Sequence, residues 1–161
     1  MKVLLLNGSP HEHGCTDAAL REVADTLREK GIEAEIFWIR NEPVGGCIGC
    51  GGCAKAGKCV FGGTVNEFAE KAMAADGFVF GTPVHYAAAS GNVTAFLDRL
   101  FYSAPKAAFC RKPAAVVTSA RRAGTTAAYE QLLKYPGISE MPIVSSCYWN
   151  NVHGSCPEDV Q

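Results

Sequence analysis

Hydrophobic positions along the chain alternate between two patterns. Short, largely apolar runs at 3–6, 36–39, 78–80, 114–118 and 141–146 have the length and composition of strands. Between them, apolar residues recur every three or four positions, the spacing of a single helical face. Leu20, Val23, Ala24 and Leu27 make one such face, and Gly31 is placed to end it. Val65, Phe68, Ala69 and Ala72 make the second, and Thr64-Val65-Asn66-Glu67 has the order of a capping box. Val93, Phe96, Leu97 and Leu100 make the third, and a fourth helix is predicted over 126–133. Strands without polar alternation are buried on both faces, so five of them separated by helices predict a parallel sheet covered on both sides. Right-handed crossovers then predict a doubly wound, three-layer α/β sandwich. Neither a repeat nor a second domain is visible, and the expectation is one domain over 1–161. No helical pattern follows the fifth run. Pro157-Glu158-Asp159 reads as a helix start cut short, so further chain or a partner subunit is expected to cover that end of the sheet.

In an open α/β sheet, ligands bind beyond the carboxyl ends of the strands. The first loop there runs Asn7-Gly8-Ser9-Pro10 to Gly14-Cys15-Thr16 and ends at a helix start. Backbone N–H groups and the helix dipole converge on such a loop and favour an anion. No Lys follows Gly14 and no GxGxxG is present, so neither the triphosphate loop nor the dinucleotide fingerprint applies. A Lys-free loop with the hydroxyls of Ser9 and Thr16 suits a single phosphate monoester and points to FMN. His11 and His13 flank it. A later loop, Thr82-Pro83-Val84-His85-Tyr86, offers a proline and two ring side chains to a flat ring system. Another, Ser119-Ala120-Arg121-Arg122-Ala123-Gly124, could close over a cofactor or bind a second anion. Asp98-Arg99 reads as a structural or interface ion pair.

Charge narrows the partners. Fifteen basic against sixteen acidic residues leave a net charge of −1, which gives nucleic acid or an anionic membrane no electrostatic footprint. No apolar run nears the ~20 residues of a membrane span. The first is also too short for a signal peptide, and the expected location is the cytoplasm. Eight cysteines in a chain with no export signal indicate thiol, metal or redox chemistry rather than disulfides. Cys110 and Cys147 read by default as core residues. Cys47, Cys50, Cys53 and Cys59 crowd a Gly-rich, aperiodic loop over 41–63. Their spacing admits a [4Fe–4S] cluster, a zinc ion or four free thiols. A cluster there is expected at the flavin's edge of the sheet, within reach of electron transfer.

Asn7-Gly8-Ser9-Pro10…Gly14-Cys15-Thr16, Gly81-Thr82-Pro83-Val84-His85-Tyr86 and Ser90-Gly91…Ala95-Phe96-Leu97-Asp98-Arg99 together resemble the NADPH-dependent FMN reductase family of flavodoxin-like proteins. The cysteine loop is similar to that of its iron–sulfur flavoprotein branch. The resemblance implies a flavodoxin-like fold with sheet order 2-1-3-4-5, bound FMN and a homodimer or homotetramer. It places Ser9, Gly14, Cys15 and Thr16 on the phosphate and Pro83, Val84, His85 and Tyr86 on the isoalloxazine. Ser119, Arg121 and Gly124 complete the expected cofactor set. The implied activity is FMN-dependent oxidoreduction between NADH or NADPH and a small-molecule acceptor. The alternative is a non-enzymatic carrier receiving electrons from ferredoxin. The sequence departs from the family pattern at Cys15, where Asn is common, at His85, where an aromatic such as Tyr is common, and in its short C-terminal end.

Overall fold

The computed structural model describes residues 1–160. The interior strand β1 (Lys2–Asn7) pairs in parallel with β2 (Glu33–Trp38) on one side and β3 (Gly77–His85) on the other. A two-residue strand, β4 (Ala88–Ala89), turns back antiparallel on the end of β3. β5 (Ala114–Ala120) and β6 (Asn151–His153) extend the parallel sheet, which runs β2-β1-β3-β5-β6. With β4 set aside, this is the predicted 2-1-3-4-5 order of a flavodoxin-like sheet.

The alternation of Leu4, Leu5 and Leu6 across β1 divides the core, because successive strand side chains point to opposite faces. Leu5 packs with Ala19, Leu20 and Ala24 of α1 (Cys15–Glu29). Within the cysteine loop, α2 (Gly52–Ala56) is a single short turn. Leu4 and Leu6 face the other layer, built from α3 (Thr64–Ala74), α4 (Gly91–Ser103) and α5 (Thr125–Ile138). Phe68 of α3 is the hub of that layer. Its ring lies 5.3 Å from Phe37, 5.7 Å from Phe96 and 6.4 Å from Phe78.

Four expectations change in the folded chain. The run at 141–146 does not form the fifth strand. Only Ile143 bridges Ala114, flanked by hydrogen bonds from Ala114 N to Pro142 O and from Val144 N to Ala114 O. The chain then leaves the sheet, and β6 takes the edge position against Thr118, Ser119 and Ala120. Asn150 makes this possible: its Nδ2 donates to Val116 O at 3.1 Å, so β5 keeps a partner where the strand departs. The expected capping box is absent, because Thr64 already lies inside α3 and Gly63 at φ +71° turns the chain into it. Asp98 and Arg99 do not pair with each other; neighbours on a helix point apart. Asp98 accepts the Tyr135 hydroxyl at 2.6 Å, while Arg99 turns inward. Finally, Cys147 is exposed and Cys110 only half-buried.

Pro157–Asp159 forms a single 3₁₀ turn. On the face that α1 covers, the β5–β6 half of the sheet is open as a groove of about 670 Å³ lined by Val79, Ala115, Val117, Trp149 and Val152. Among the described residues no helix is long and apolar enough to cross a membrane.

Phe68→Ala should destabilise the chain by about 3–5 kcal/mol, measured by denaturant unfolding, because it removes a ring that three others pack against. A smaller effect is expected at Glu35, which accepts from Lys2 at 2.8 Å and Lys71 at 2.7 Å, tying β1 and α3 to β2. Hydrogen bonds from Lys2, then Lys71, hold its carboxyl below the usual range. A lowered carboxyl pKa adds stability above the unfolded value near 4.3 and loses it as pH falls through the folded value. Glu35→Gln should therefore cost about 0.5–1 kcal/mol at pH 7, and the difference should shrink as pH falls below about 4.3 and vanish once it has passed the lowered folded value.

Candidate functional site

The loop after β1 is wound around the fully buried Asn7. Its Oδ1 accepts from Ser9 N at 3.1 Å and its Nδ2 donates to Glu12 O at 3.0 Å. Gly8 N donates to Gly81 O at 2.9 Å. A Cβ at Gly8 would stand 2.5 Å from Val93 Cγ2 and 2.7 Å from Gly81 O, so only glycine allows this approach. Trp38 Nε1 donates to Ser9 O at 2.8 Å and pins the loop from β2. Ser9 Oγ accepts from His11 N at 3.1 Å, which leaves its own proton free to donate. Gly14 leads into α1 with no side-chain cap, and Ala18 N, bonded to Gly14 O, is the first amide of the helical ladder. The amides of Cys15, Thr16 and Asp17 therefore have no intrahelical acceptor. Asp17 is drawn to Arg21 Nε at 2.6 Å and His13 Nδ1 at 3.3 Å.

This loop forms one wall of a cavity of about 720 Å³. Of the predicted residues, Ser9, Gly14, Cys15, Thr16, Pro83, Val84, His85, Ser119 and Arg121 line it. The Thr16 hydroxyl is spoken for: its Oγ1 lies 2.7 Å from Ser119 Oγ, both side chains buried, joining α1 to β5 beneath the loop. Tyr86 and Gly124 lie outside the lining. Val84 pairs with Ala89 and His85 with Ala88, so Tyr86 and Ala87 are the two central residues of a tight hairpin. Both have φ above +50°, the left-handed pair of a type I′ turn, and Tyr86 projects fully into solvent. Gly124, at φ +90°, is a packing position. A Cβ there would come within 2.7 Å of Ala87 Cα.

Trp38, Asn41, Gly154, Ser155 and Cys156 also line the cavity and were not predicted. Trp38 ends a parallel strand at the ligand-binding edge, a signal the sequence did carry. The C-terminal segment carried none. It is held there by Cys15 Sγ, 3.6 Å from Gly154 O, and by Gly154 N donating to Ala120 O at 3.1 Å. Hydrogen bonding to Glu158, then to Asp159, pushes the Cys156 thiol up, so it stays protonated at neutral pH. The loop wall thus offers amides and a hydroxyl but no Lys, and among the described residues Arg121 is the one guanidinium on the lining. Neutral donors at a helix N-terminus fit the phosphate of FMN, and the cavity runs from them to Pro83, Val84 and His85.

The cysteine loop is anchored at the start of α4, where Asn92 donates to Glu42 O at 3.1 Å and accepts from Val44 N at 3.3 Å. It then descends. Cys53 Sγ reaches Tyr102 O at 3.6 Å, and buried Cys59 accepts from Arg99 Nε at 3.2 Å. All four cysteines line one small pocket of about 120 Å³ with Ile48, Val60, Phe61, Arg99, Tyr102 and Ser103. Its floor is the second half of α4, about 12–18 Å along the axis from the helix start. Among the described residues, no three His, Cys, Asp or Glu side chains converge as a single ion requires. Thiols spread around one pocket fit a cluster, whose ligands each bind a different iron, better than a tetrahedral zinc.

A parallel sheet in this order, with an anion cradle at its first loop, defines a flavodoxin-like α/β protein. The chain belongs to the NADPH-dependent FMN reductase family, which matches residues 1–155. It is 35% identical over 99 residues to an iron-sulfur flavoprotein of Methanocaldococcus jannaschii, covering 62% of this chain and 51% of that one. An iron-sulfur flavoprotein of Methanosarcina thermophila is 33% identical over 101 residues, covering 63% and 51%. The chain thus spans about half the length of the curated relatives it matches. Among solved structures, a flavodoxin from the domain Archaea superposes with a TM-score of 0.64 at 16% identity, over 99% of this chain and 88% of its own.

The buried Thr16–Ser119 pair generates a double-mutant test. Thr16→Val alone should cost about 1–3 kcal/mol in unfolding free energy, because it strands the Ser119 hydroxyl. Adding Ser119→Ala should recover much of that loss, since no buried polar group is then left without a partner.

Proposed function

We propose that this chain binds FMN in the 720 Å³ cavity and works as an FMN-dependent oxidoreductase fed by NADH or NADPH. The observation that carries this reading is the Lys-free cradle of amides and hydroxyl at the start of α1. The amides of Cys15, Thr16 and Asp17, which follow the Gly14 turn, and the free proton of Ser9 hold the phosphate, and the helix dipole adds to their attraction. Pro83, Val84 and His85 border the ring, with Trp38 on the lining beside the loop it pins. The Thr16–Ser119 bond keeps the cradle in register with β5. Arg121, on the same wall, supplies the positive charge for a second anion such as the phosphate of the electron donor. Tyr86 and Gly124 act indirectly: one projects from the hairpin tip, and the other seats that hairpin on α5. When bound, the flavin supplies the electron-transfer chemistry, and no side-chain acid or base is required. The electron acceptor is a small molecule.

A second reading is favoured by the cysteine pocket and by the names of the relatives. In it, Cys47, Cys50, Cys53 and Cys59 ligate a [4Fe–4S] cluster and the protein carries electrons received from ferredoxin.

FMN titration followed by flavin fluorescence should show saturable binding, weakened about 10–150-fold in Ser9→Ala, since a hydrogen bond to a charged group contributes about 1.5–3 kcal/mol. Unchanged affinity in that variant would move the phosphate elsewhere. Anaerobic stopped-flow mixing separates the two readings. Bleaching of bound flavin by NADPH or NADH supports the reductase, and no bleaching with either supports the carrier.

A further inference from the structure

Arg99 is 8% exposed, yet among the described residues it has no carboxylate partner. Its neighbour Asp98 is taken by Tyr135, and Glu67 by Arg40. What surrounds the guanidinium is neutral: Cys59 Sγ at 3.2 Å from Nε, Gly62 O at 2.8 Å from Nη2, and the Phe61 ring centroid at 5.8 Å from Cζ. A cation removed from water needs a compensating charge, and leaving one uncompensated is strongly destabilising. Arg99 opens onto the pocket that the four cysteines line.

A second observation points into the same pocket. Ser103 is also 8% exposed, and its Oγ has no hydrogen-bond partner. It stands four residues after Arg99 on α4, so the two share one helical face. The rest of the pocket wall is largely apolar, with Ile48, Val60 and Phe61. A buried cation with only neutral partners and a buried hydroxyl with none thus face one space.

We propose that Arg99 and Ser103 are the charge-compensating floor of an iron–sulfur cluster held by Cys47, Cys50, Cys53 and Cys59, their N–H and O–H groups donating to its sulfur atoms. The assignment rests on the cluster reading above. Four thiolates outweigh the positive charge of the iron–sulfur core, so the cluster supplies the negative charge that Arg99 lacks. Its sulfurs also supply the acceptor that Ser103 lacks. Four neutral thiols would supply no such charge. Hydrogen bonds to cluster sulfurs and a nearby positive charge favour the reduced, more negative state, so both residues raise the reduction potential.

The test is anaerobic reconstitution with iron and sulfide of wild type, Arg99→Lys, Arg99→Met and Ser103→Ala. Iron and sulfide content, the electron paramagnetic resonance spectrum of the reduced cluster and its midpoint potential are then measured. Wild type should hold about four iron and four sulfide per chain. Ser103→Ala should keep the cluster with a lower potential and an altered spectrum. Arg99→Met should hold iron about 10–100-fold less tightly against a chelator, the usual effect of losing an outer-shell partner, with Arg99→Lys between it and wild type. FMN affinity should not change in any of them. A wild type that takes up no iron would sink the cluster reading and this assignment with it. Clusters with wild-type iron retention, spectrum and potential in both Arg99→Met and Ser103→Ala would overturn the assignment alone. If Arg99→Met does not fold by circular dichroism, the potential of Ser103→Ala decides.

Discussion

The candidate cofactor site depends on how closely the chain leaving β1 approaches the middle of β3. Gly8 N reaches Gly81 O at 2.9 Å, and neither residue has room for a side chain. A Cβ at Gly81 would lie 2.8 Å from Leu20 Cδ1 and 3.0 Å from Thr16 Cγ2, and one at Gly8 would strike Val93. That single contact therefore sets three elements at once: the loop that follows Gly8, the first turns of α1 and the start of α4. The amides of Cys15 and Thr16 gain a defined position only because the strands beneath them close this tightly. Trp38 and Asn7 then hold the loop from its two sides. The site is preorganised by backbone packing rather than by charged side chains.

The two pockets solve opposite electrostatic problems. At the start of α1 the donors are neutral dipoles, the acidic side chain of the first turn, Asp17, is drawn off by Arg21 and His13, and an anion is accommodated without a buried cation. Beneath the cysteine loop a full guanidinium is buried with no carboxylate beside it among the described residues. The first arrangement suits a ligand that binds from solvent, while the second suits a permanently held negative centre. α4 links them, since its first residues anchor the cysteine loop through Asn92 and its second half floors the pocket. The hairpin at Tyr86 and Ala87 adds local strain at the cavity's rim, because two left-handed residues other than glycine cost about 1–2 kcal/mol each. It is held by Ala89 N donating to Gln131 of α5 and by Ser90 N donating to Thr82.

Apolar spacing by itself determined the parallel α/β class, four of the strands and the four main helices, because burial on two faces and the 3.6-residue period are local properties of a chain. Ser9, Gly14, Cys15 and Thr16 were legible for the same reason: they follow a strand and open a helix within one short stretch. Only the tertiary structure decided which apolar run completes the sheet. The run at 141–146 has strand composition, but Asn150 and Asn151 satisfy β5 better from further along, and edge pairing is settled by whichever segment can reach. Tyr86 read as a ring-binding residue, yet a tight turn points it into solvent. Gly124 read as part of a loop that could close over a cofactor, and in the fold it is a spacer against Ala87. Cys156 and Gly154 come to the cavity from the far end of the chain, and no local pattern encodes that meeting. Arg99 is the clearest case. Its sequence neighbour is an aspartate, and helix geometry turns that carboxylate away and sends the guanidinium to Cys59, a partner that only folding brings within reach.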